Sequence, residues 1–250
     1  MKHNIALESW NVAWSDMCYL RRNLPTVVLS SLVTPLLYLV AFGYGMGEGQ
    51  SVAGVPYIAY LIPGIIALST LSSSFSSVGN KILVQRKFYS SFDELRLCPV
   101  STASLVLGKS LLGMARGAIC SIILIVLGSI VAPDFHPGPA LAAALLLSCL
   151  TFSLLGVLAG LLADSMSKMN LFTSTVIIPM TFLCGTVFDI SRMPDWFQYA
   201  VNALPLTHSS SIIRATALDW AFPWGSAAAL GGFALVFFVL SYYILRCRNV

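Results

Sequence analysis

Long runs without a charged residue constrain this sequence more than any other feature. Residues 24–44 and 56–78 form uncharged runs of 21 and 23 residues, and residues 139–163 form a run of 25. About 20 apolar residues in a helix are enough to cross the hydrocarbon core of a bilayer. The chain is 57% hydrophobic and only 10% charged, so it has more apolar surface than a soluble domain can bury. The sequence therefore predicts an all-α, polytopic membrane protein.

Six predicted transmembrane helices account for the apolar runs. They belong to one permease domain over residues 24–250, and the third of them contains Arg116. The predicted spans cover residues 24–44, 56–78, 110–132, 139–163, 170–188 and 226–245.

Residues 1–23 precede the first span and predict an amphipathic interfacial helix. Trp10, Trp14 and Leu20 share one helical face, while Glu8 and Asn11 lie on the opposite face. Helices of this kind lie in the headgroup region of a membrane. An ordinary amphipathic lead-in to the first span is the alternative. The segment has no continuous apolar core, so we do not expect a cleaved signal peptide.

The basic residues predict the orientation in the membrane. Cytoplasmic links of membrane proteins are rich in Lys and Arg. With both termini in the cytoplasm, only Arg192 and Arg214 of the fourteen Lys and Arg residues face outside. Topology and contact with anionic membrane lipids explain the net charge of +4, so nucleic acid is not an expected partner.

The fifth span runs into a segment that interrupts the membrane pattern. Gly185 weakens the helix, and the charged residues that follow prevent it from continuing across the membrane. A short amphipathic helix is predicted from Pro194, with Trp196 toward lipid, until Pro205 stops it. The sequence thus predicts a re-entrant segment between helices 5 and 6, in which these four residues line a pathway.

Residues 91–98 predict a short cytoplasmic helix between spans two and three. Ser91 and Glu94 have the spacing of a capping box, and Pro99 closes the helix. A helix of about two turns is marginal by itself in water. We therefore expect Phe92 and Leu95 to be exposed and to bury themselves in a pocket on a partner.

Three features inside the spans allow two interpretations each. Arg116 either contacts an anionic group, or it extends toward the cytoplasmic interface or pairs with the N-terminal helix. The serines at the end of the second span either line a polar path or bond to helix carbonyls. Two pairs of glycines with four-residue spacing indicate close helix packing or arise by chance. The serines are Ser72, Ser73, Ser74, Ser76 and Ser77, and the glycines are Gly113, Gly117, Gly156 and Gly160.

Catalytic and metal sites are not predicted. No serine, cysteine or carboxylate has a base beside it in a catalytic pattern, and neither the three histidines nor the six cysteines have metal-ligand spacing. Gly108, Lys109 and Ser110 look like the end of a phosphate loop, but the first glycine is missing and a membrane helix follows. We therefore expect no cofactor on this chain and no ATP hydrolysis by that route.

Two stretches are similar to the permease subunits of type-two ABC exporters, and the resemblance extends over essentially the whole chain. The first stretch comprises residues 182–188, Met193-Pro194-Asp195-Trp196, residues 202–207 and Arg214. The second comprises residues 92–100 with Gly108-Lys109, although Ser90 and Ser91 stand where the family has a Gly-Thr pair.

The resemblance implies a division of labour. Two permease chains pair, a homodimer being expected, and an ABC ATPase dimer on separate chains binds ATP and magnesium. The ATPase docks on the cytoplasmic helix, and either Asp93 or Glu94 takes the place of a family glutamate. The implied activity is export of an amphipathic or lipid-linked substrate across the bacterial inner membrane. The resemblance assigns coupling to Ser91, Phe92, Asp93, Glu94, Leu95 and Pro99.

Two alternatives come from other functional classes. An ion-coupled secondary transporter would normally carry paired carboxylates inside its spans, and this sequence has no acidic residue there. A membrane-embedded enzyme that modifies lipids would need a cluster of His, Asp and Glu at an interface. Both alternatives are less favoured than a permease subunit.

Overall fold

The structure is a computed structural model that describes residues 5–45, 51–52, 55–89, 91–131, 138–184 and 194–247. These residues are almost entirely helical, apart from a two-residue antiparallel pair between Ser51–Val52 and Val55–Pro56. The helices are α1 (Ile5–Arg22), α2 (Leu24–Gly45), α3 (Tyr57–Lys87), α4 (Ser91–Leu97), α5 (Thr102–Val131), α6 (Pro139–Leu162), α7 (Met166–Phe172), α8 (Ile178–Leu183), α9 (Asp195–Asn202), α10 (Pro205–Ala217) and α11 (Trp224–Cys247).

Among the described residues, α2, α3, α5, α6 and α11 are long and apolar enough to cross a membrane. The predicted fifth span is helical from Met166 to Leu183, with a π-helical segment, Thr173–Ile177, between α7 and α8. Pro179 follows this segment. A proline lacks an N–H and clashes with the carbonyl four residues earlier, so a widened turn before it accommodates the ring. The prediction of an all-α polytopic fold is confirmed.

Helix α3 is the centre of the bundle and is buried along most of its length. Glycines let two neighbours approach it closely. A Cβ added to Gly156 of α6 would lie 2.6 Å from the Phe75 carbonyl oxygen, and one on Gly160 would lie 2.8 Å from the Gly79 oxygen. On α5, a Cβ on Gly113 would lie 2.7 Å from the Ser74 oxygen. The packing interpretation of the glycine pairs is therefore confirmed.

Helices α3 and α5 extend well past the predicted span limits at residues 78 and 110. They contain 31 and 30 residues, which is about 45 Å of helix at 1.5 Å per residue. The hydrocarbon core is only about 30 Å thick. The link predicted over residues 80–109 is thus largely helical, and α4 lies at its tip. The charged residues of this link do not end α3 and α5, because several of them have partners within the protein.

Helix α10 was not predicted, and it corrects the interpretation of Pro205. Helix α9 already ends at Asn202, and Pro205 occupies the first turn of α10, where its missing N–H costs nothing. Nearly all of α10 is buried against α3, α6 and α11. Its hydroxyls are satisfied locally or by neighbours, since Ser209 Oγ donates to Ser148 Oγ at 2.8 Å. A segment for which the sequence predicted no helix is therefore a buried helix.

Candidate functional site

The short helix α4 occurs where the sequence predicted it, but it does not present the predicted side chains. Phe92 is only 1% exposed and packs with Ile82, Leu105 and Val106 of α3 and α5. Leu95 is half-buried against the same cluster. The expectation that Phe92 is exposed and awaits a partner's pocket is wrong, because α3 and α5 extend far enough to enclose it. Residue 90 and the side chain of Asp93 lie outside the described part.

Other side chains at this end of the molecule are exposed instead. Phe88 is 67% exposed, Tyr89 is 72% exposed and Leu97 is 88% exposed. Glu94 and Pro99 are also exposed. We call these five residues the tip surface. It combines two aromatic rings, a leucine and a carboxylate at the end that the Lys and Arg distribution predicts to be cytoplasmic.

Helix α1 braces the start of α5. The Glu8 carboxylate accepts hydrogen bonds from the Ser101 backbone N–H at 3.1 Å and from Ser104 Oγ at 2.9 Å. Ser101 caps α5, because its hydroxyl accepts from the Ser104 N–H at 3.1 Å. A carboxylate at a helix N-terminus also interacts favourably with the helix dipole. The segment that joins α4 to α5 is therefore anchored to α1.

A buried ion pair joins α1 to α5 two turns further along. Asp16 Oδ2 and Lys109 Nζ are 2.8 Å apart, and the two side chains are 2% and 1% exposed. From α3, Lys81 Nζ lies 3.9 Å from Asp16 Oδ1, and Gln85 Nε2 donates to that oxygen at 3.4 Å. Sequence reasoning missed Asp16. The signal was its spacing, since Val12, Asp16 and Leu20 recur every fourth residue on the buried face of α1.

The opposite side of α1 carries its tryptophans. Trp10 and Trp14 are about half exposed and contact one another, with ring centroids 6.0 Å apart. Tryptophan is enriched at membrane interfaces. The structure thus separates a protein-facing side of α1 from an aromatic side, and Leu20, predicted to share the face of the tryptophans, lies on the protein-facing side instead. The position of the aromatic side in the headgroups stays a prediction.

Arg116 lies beside a polar cavity between α2, α3 and α5. The cavity has a volume of about 260 Å³. Arg116 Nη2 donates to Ser31 Oγ at 3.2 Å, while Arg116 Nε is buried with no hydrogen-bond partner among the described residues. Arg116 does not pair with α1, so that half of the alternative is wrong. The cavity wall includes Ser30, Ser31, Ser69, Ser72, Ser73 and Ser76.

Of the serines at the end of the second span, some line a polar cavity and others bond within the bundle. Ser72, Ser73 and Ser76 line the cavity. Ser77 Oγ instead donates to the Ser74 carbonyl at 3.0 Å, and Ser74 faces the glycines of α5. Residues three or four apart share one face of a helix, so Ser72, Ser73 and Ser76 face the cavity, whereas Ser74 and Ser77 lie on a neighbouring side.

Two further arginines that were predicted in polar links are buried. Arg86 Nη1 donates to the carbonyl oxygens of Gly160 at 2.9 Å and Leu161 at 2.7 Å, which satisfies the end of α6. The guanidinium of Arg214 lies 3.8 Å from the centre of the Tyr60 ring. Arg214 therefore makes a cation–π contact in the bundle, and its location toward the outer side of the membrane stays a prediction.

The predicted pathway residues between spans five and six are only partly described. Gly185 lies outside the described residues, and so does the side chain of Trp196, whose backbone belongs to α9. Pro194 directly precedes α9 and is exposed, whereas Pro205 is buried at the start of α10. The structure does not bring Pro194 and Pro205 to the Arg116 cavity.

Comparison with known proteins identifies the family. Residues 9–218 match the family model described as ABC-2 type transporter. The chain belongs to this family. Nodulation protein J of Rhizobium meliloti (strain 1021) is 30% identical over 237 residues, which cover 88% of this chain and 86% of that protein. The inner membrane transport permease YadH of Escherichia coli (strain K12) is 26% identical over 185 residues, which cover 73% of this chain and 72% of that protein.

Family membership makes this chain a multi-pass membrane transport permease. It confirms the resemblance that the two sequence stretches indicated. Since the family is one of transporters, the lipid-modifying enzyme is no longer a competing hypothesis.

Proposed function

We propose that this chain is the permease subunit of an ATP-driven exporter in the bacterial inner membrane. It pairs with a second permease chain, and a separate ABC ATPase dimer supplies the energy from ATP and magnesium. Both termini face the cytoplasm, and the substrate is amphipathic or lipid-linked. Family membership and the permease names of its relatives support this proposal over an ion-coupled carrier.

The observation that carries the proposal is the tip surface. An exposed leucine at the end of α4 and two exposed aromatic rings just after α3 flank this short helix, which contacts α3. Large apolar side chains grouped at a water-exposed end indicate a surface that another protein covers. Because Phe92 anchors α4 within the bundle, force applied at Leu97 or Glu94 reaches α3 and α5 directly.

The ATPase-docking test compares Leu97→Ser and Glu94→Lys with Met166→Ser. Met166 is also an exposed apolar residue, but it begins α7 and belongs to a different segment of the chain. Burying a leucine side chain stabilises a complex by about 1.5 to 3 kcal/mol. We therefore expect Leu97→Ser to weaken ATPase binding about tenfold or more and to lower ATP-dependent transport, with a similar loss for Glu94→Lys. The measurements are retention of the ATPase on the purified permease and transport by reconstituted vesicles.

The Met166→Ser variant should bind the ATPase as the unmodified permease does. Normal ATPase retention by both tip variants would show that the partner docks elsewhere. Asp93→Lys, tested beside Glu94→Lys, decides which of the two acids takes the coupling role.

A further inference from the structure

Arg116 is the one charged residue in the six predicted spans. None of residues 24–44, 56–78, 139–163, 170–188 or 226–245 contains Asp, Glu, Lys or Arg, and residues 110–132 contain Arg116 alone. It lies six residues inside the predicted span that begins at residue 110, which corresponds to about 9 Å along the helix. A charge at such a position is costly unless a function retains it.

The surroundings of Arg116 leave its charge uncompensated. Of the described residues, none places a carboxylate within ion-pair distance of the guanidinium, and its hydrogen bond to Ser31 Oγ is to a neutral group. The buried carboxylate of Asp16 is occupied by Lys109. A second copy of the chain cannot supply an acid from its spans, because these spans contain none. Among the described residues no side chain supplies the opposite charge, so an anion from another molecule can take that place.

The cavity has the chemistry and the size for an oxyanion. A guanidinium presents parallel N–H donors that match phosphate or carboxylate oxygens, and Arg116 Nε has no partner among the described residues. Serine hydroxyls can donate to the remaining oxygens. A cavity of about 260 Å³ has room for several water molecules and therefore for a small charged headgroup.

The cavity opens on the surface of the bundle. Ser30 and Thr34 of α2 and Ser72 of α3 line it and are exposed. On α2, Leu29, Leu37 and Val40 are also exposed, so an apolar surface continues beside the opening. A molecule with a charged head and an apolar tail can place its head against Arg116 while its tail remains in the bilayer.

We infer that the cavity between α2, α3 and α5 binds the phosphate or carboxylate headgroup of an anionic amphipathic molecule through Arg116. The inference rests on the proposed function where it makes this molecule the transported substrate. Binding itself requires neither the ATPase nor transport.

The headgroup test uses the full-length permease purified in a neutral detergent. Binding of phosphatidylglycerol, phosphatidylcholine and inorganic phosphate is measured by native mass spectrometry and by thermal stabilisation. We expect phosphatidylglycerol to bind and phosphatidylcholine to bind much more weakly. A hydrogen bond to a charged group contributes about 1.5 to 3 kcal/mol, so Arg116→Gln should lower the affinity for phosphatidylglycerol about tenfold or more.

Two variants serve as references. Arg116→Lys keeps the charge but loses the paired donors, so its affinity should be intermediate, and it serves in place of Arg116→Gln if that variant does not fold. Arg246→Gln removes an exposed arginine at the end of α11 and should bind phosphatidylglycerol as the unmodified chain does.

Equal phosphatidylglycerol binding by the unmodified chain and both Arg116 variants would overturn the inference. Arg116-dependent binding of inorganic phosphate without phosphatidylglycerol binding would also overturn it, because the ligand would then be a free anion. Leu97→Ser should leave lipid binding unchanged, so a failure of ATPase docking and a failure of headgroup binding are distinguishable.

Discussion

Lys109 and Arg116 are two basic residues on the same helix, but their partners and their accessibility differ. They are seven residues apart on α5, which separates them by about 10 Å along the axis. Lys109 is 1% exposed and lies 2.8 Å from the carboxylate of Asp16. Arg116 contacts the Ser31 hydroxyl at 3.2 Å beside an open cavity. Helix α1 therefore closes the first site, while the second remains accessible.

This difference distinguishes a charge that stabilises the fold from a charge that can bind a ligand. A buried ion pair has its interactions complete, so it holds α1, α3 and α5 in one arrangement but has no capacity for a ligand. A single cation beside hydroxyl groups has unused donors and attracts anions. The presence of a charge within a membrane protein thus does not indicate a ligand site by itself. What matters is whether the protein already provides the opposite charge.

The largest expected effect comes from breaking the closed site. Asp16→Ala leaves Lys109 buried without its carboxylate, and removal of one partner of a buried ion pair costs about 3 to 5 kcal/mol. We expect this loss in the free energy of unfolding, measured by thermal or denaturant unfolding in detergent. The double variant Asp16→Leu with Lys109→Met removes both charges and should recover most of the stability. An Asp16→Ala variant as stable as the unmodified chain would mean that the pair has no structural role.

A second substitution converts the open site into a closed one. Ser31→Asp places a carboxylate where Arg116 already finds its hydrogen-bond acceptor. The new acid should neutralise Arg116 and exclude anions, so phosphatidylglycerol affinity should fall about tenfold or more. Ser31→Asn, which has nearly the same shape without the charge, is the matched control and should retain binding. Unchanged binding by Ser31→Asp would separate the lipid site from Arg116.

The smallest effect is expected at an exposed ion pair of the same length. Asp164 Oδ2 and Lys168 Nζ are also 2.8 Å apart, but their side chains are 42% and 61% exposed. Solvent-exposed ion pairs contribute about 0.2 to 1 kcal/mol. Asp164→Asn should therefore lower the free energy of unfolding by no more than about 1 kcal/mol. A loss comparable to that of Asp16→Ala would show that distance, rather than burial, decides the strength of these pairs.

The residues that sequence reasoning located correctly are those whose role depends on local pattern. The helix over residues 91–97 follows from the nearby Pro99 and from the polar residues around it. Its side-chain exposure was wrong at Phe92, because burial there depends on how far α3 and α5 extend in space. Arg116 was identified from its charge alone, but the serines that share its cavity come from α2 and α3, which no pattern along α5 can indicate.

The sequence by itself determined the class of this protein, because hydropathy and the distribution of Lys and Arg act along each segment independently of its neighbours. The spacing of the glycines allowed close helix packing as one of two interpretations, and the structure decided for it at Gly113, Gly156 and Gly160. Only the tertiary structure decided which polar groups meet. Asp16 reaches Lys109, and Ser31 reaches Arg116, because of the rotation and height of each helix relative to the next. Those two quantities depend on packing between helices, which no single segment encodes.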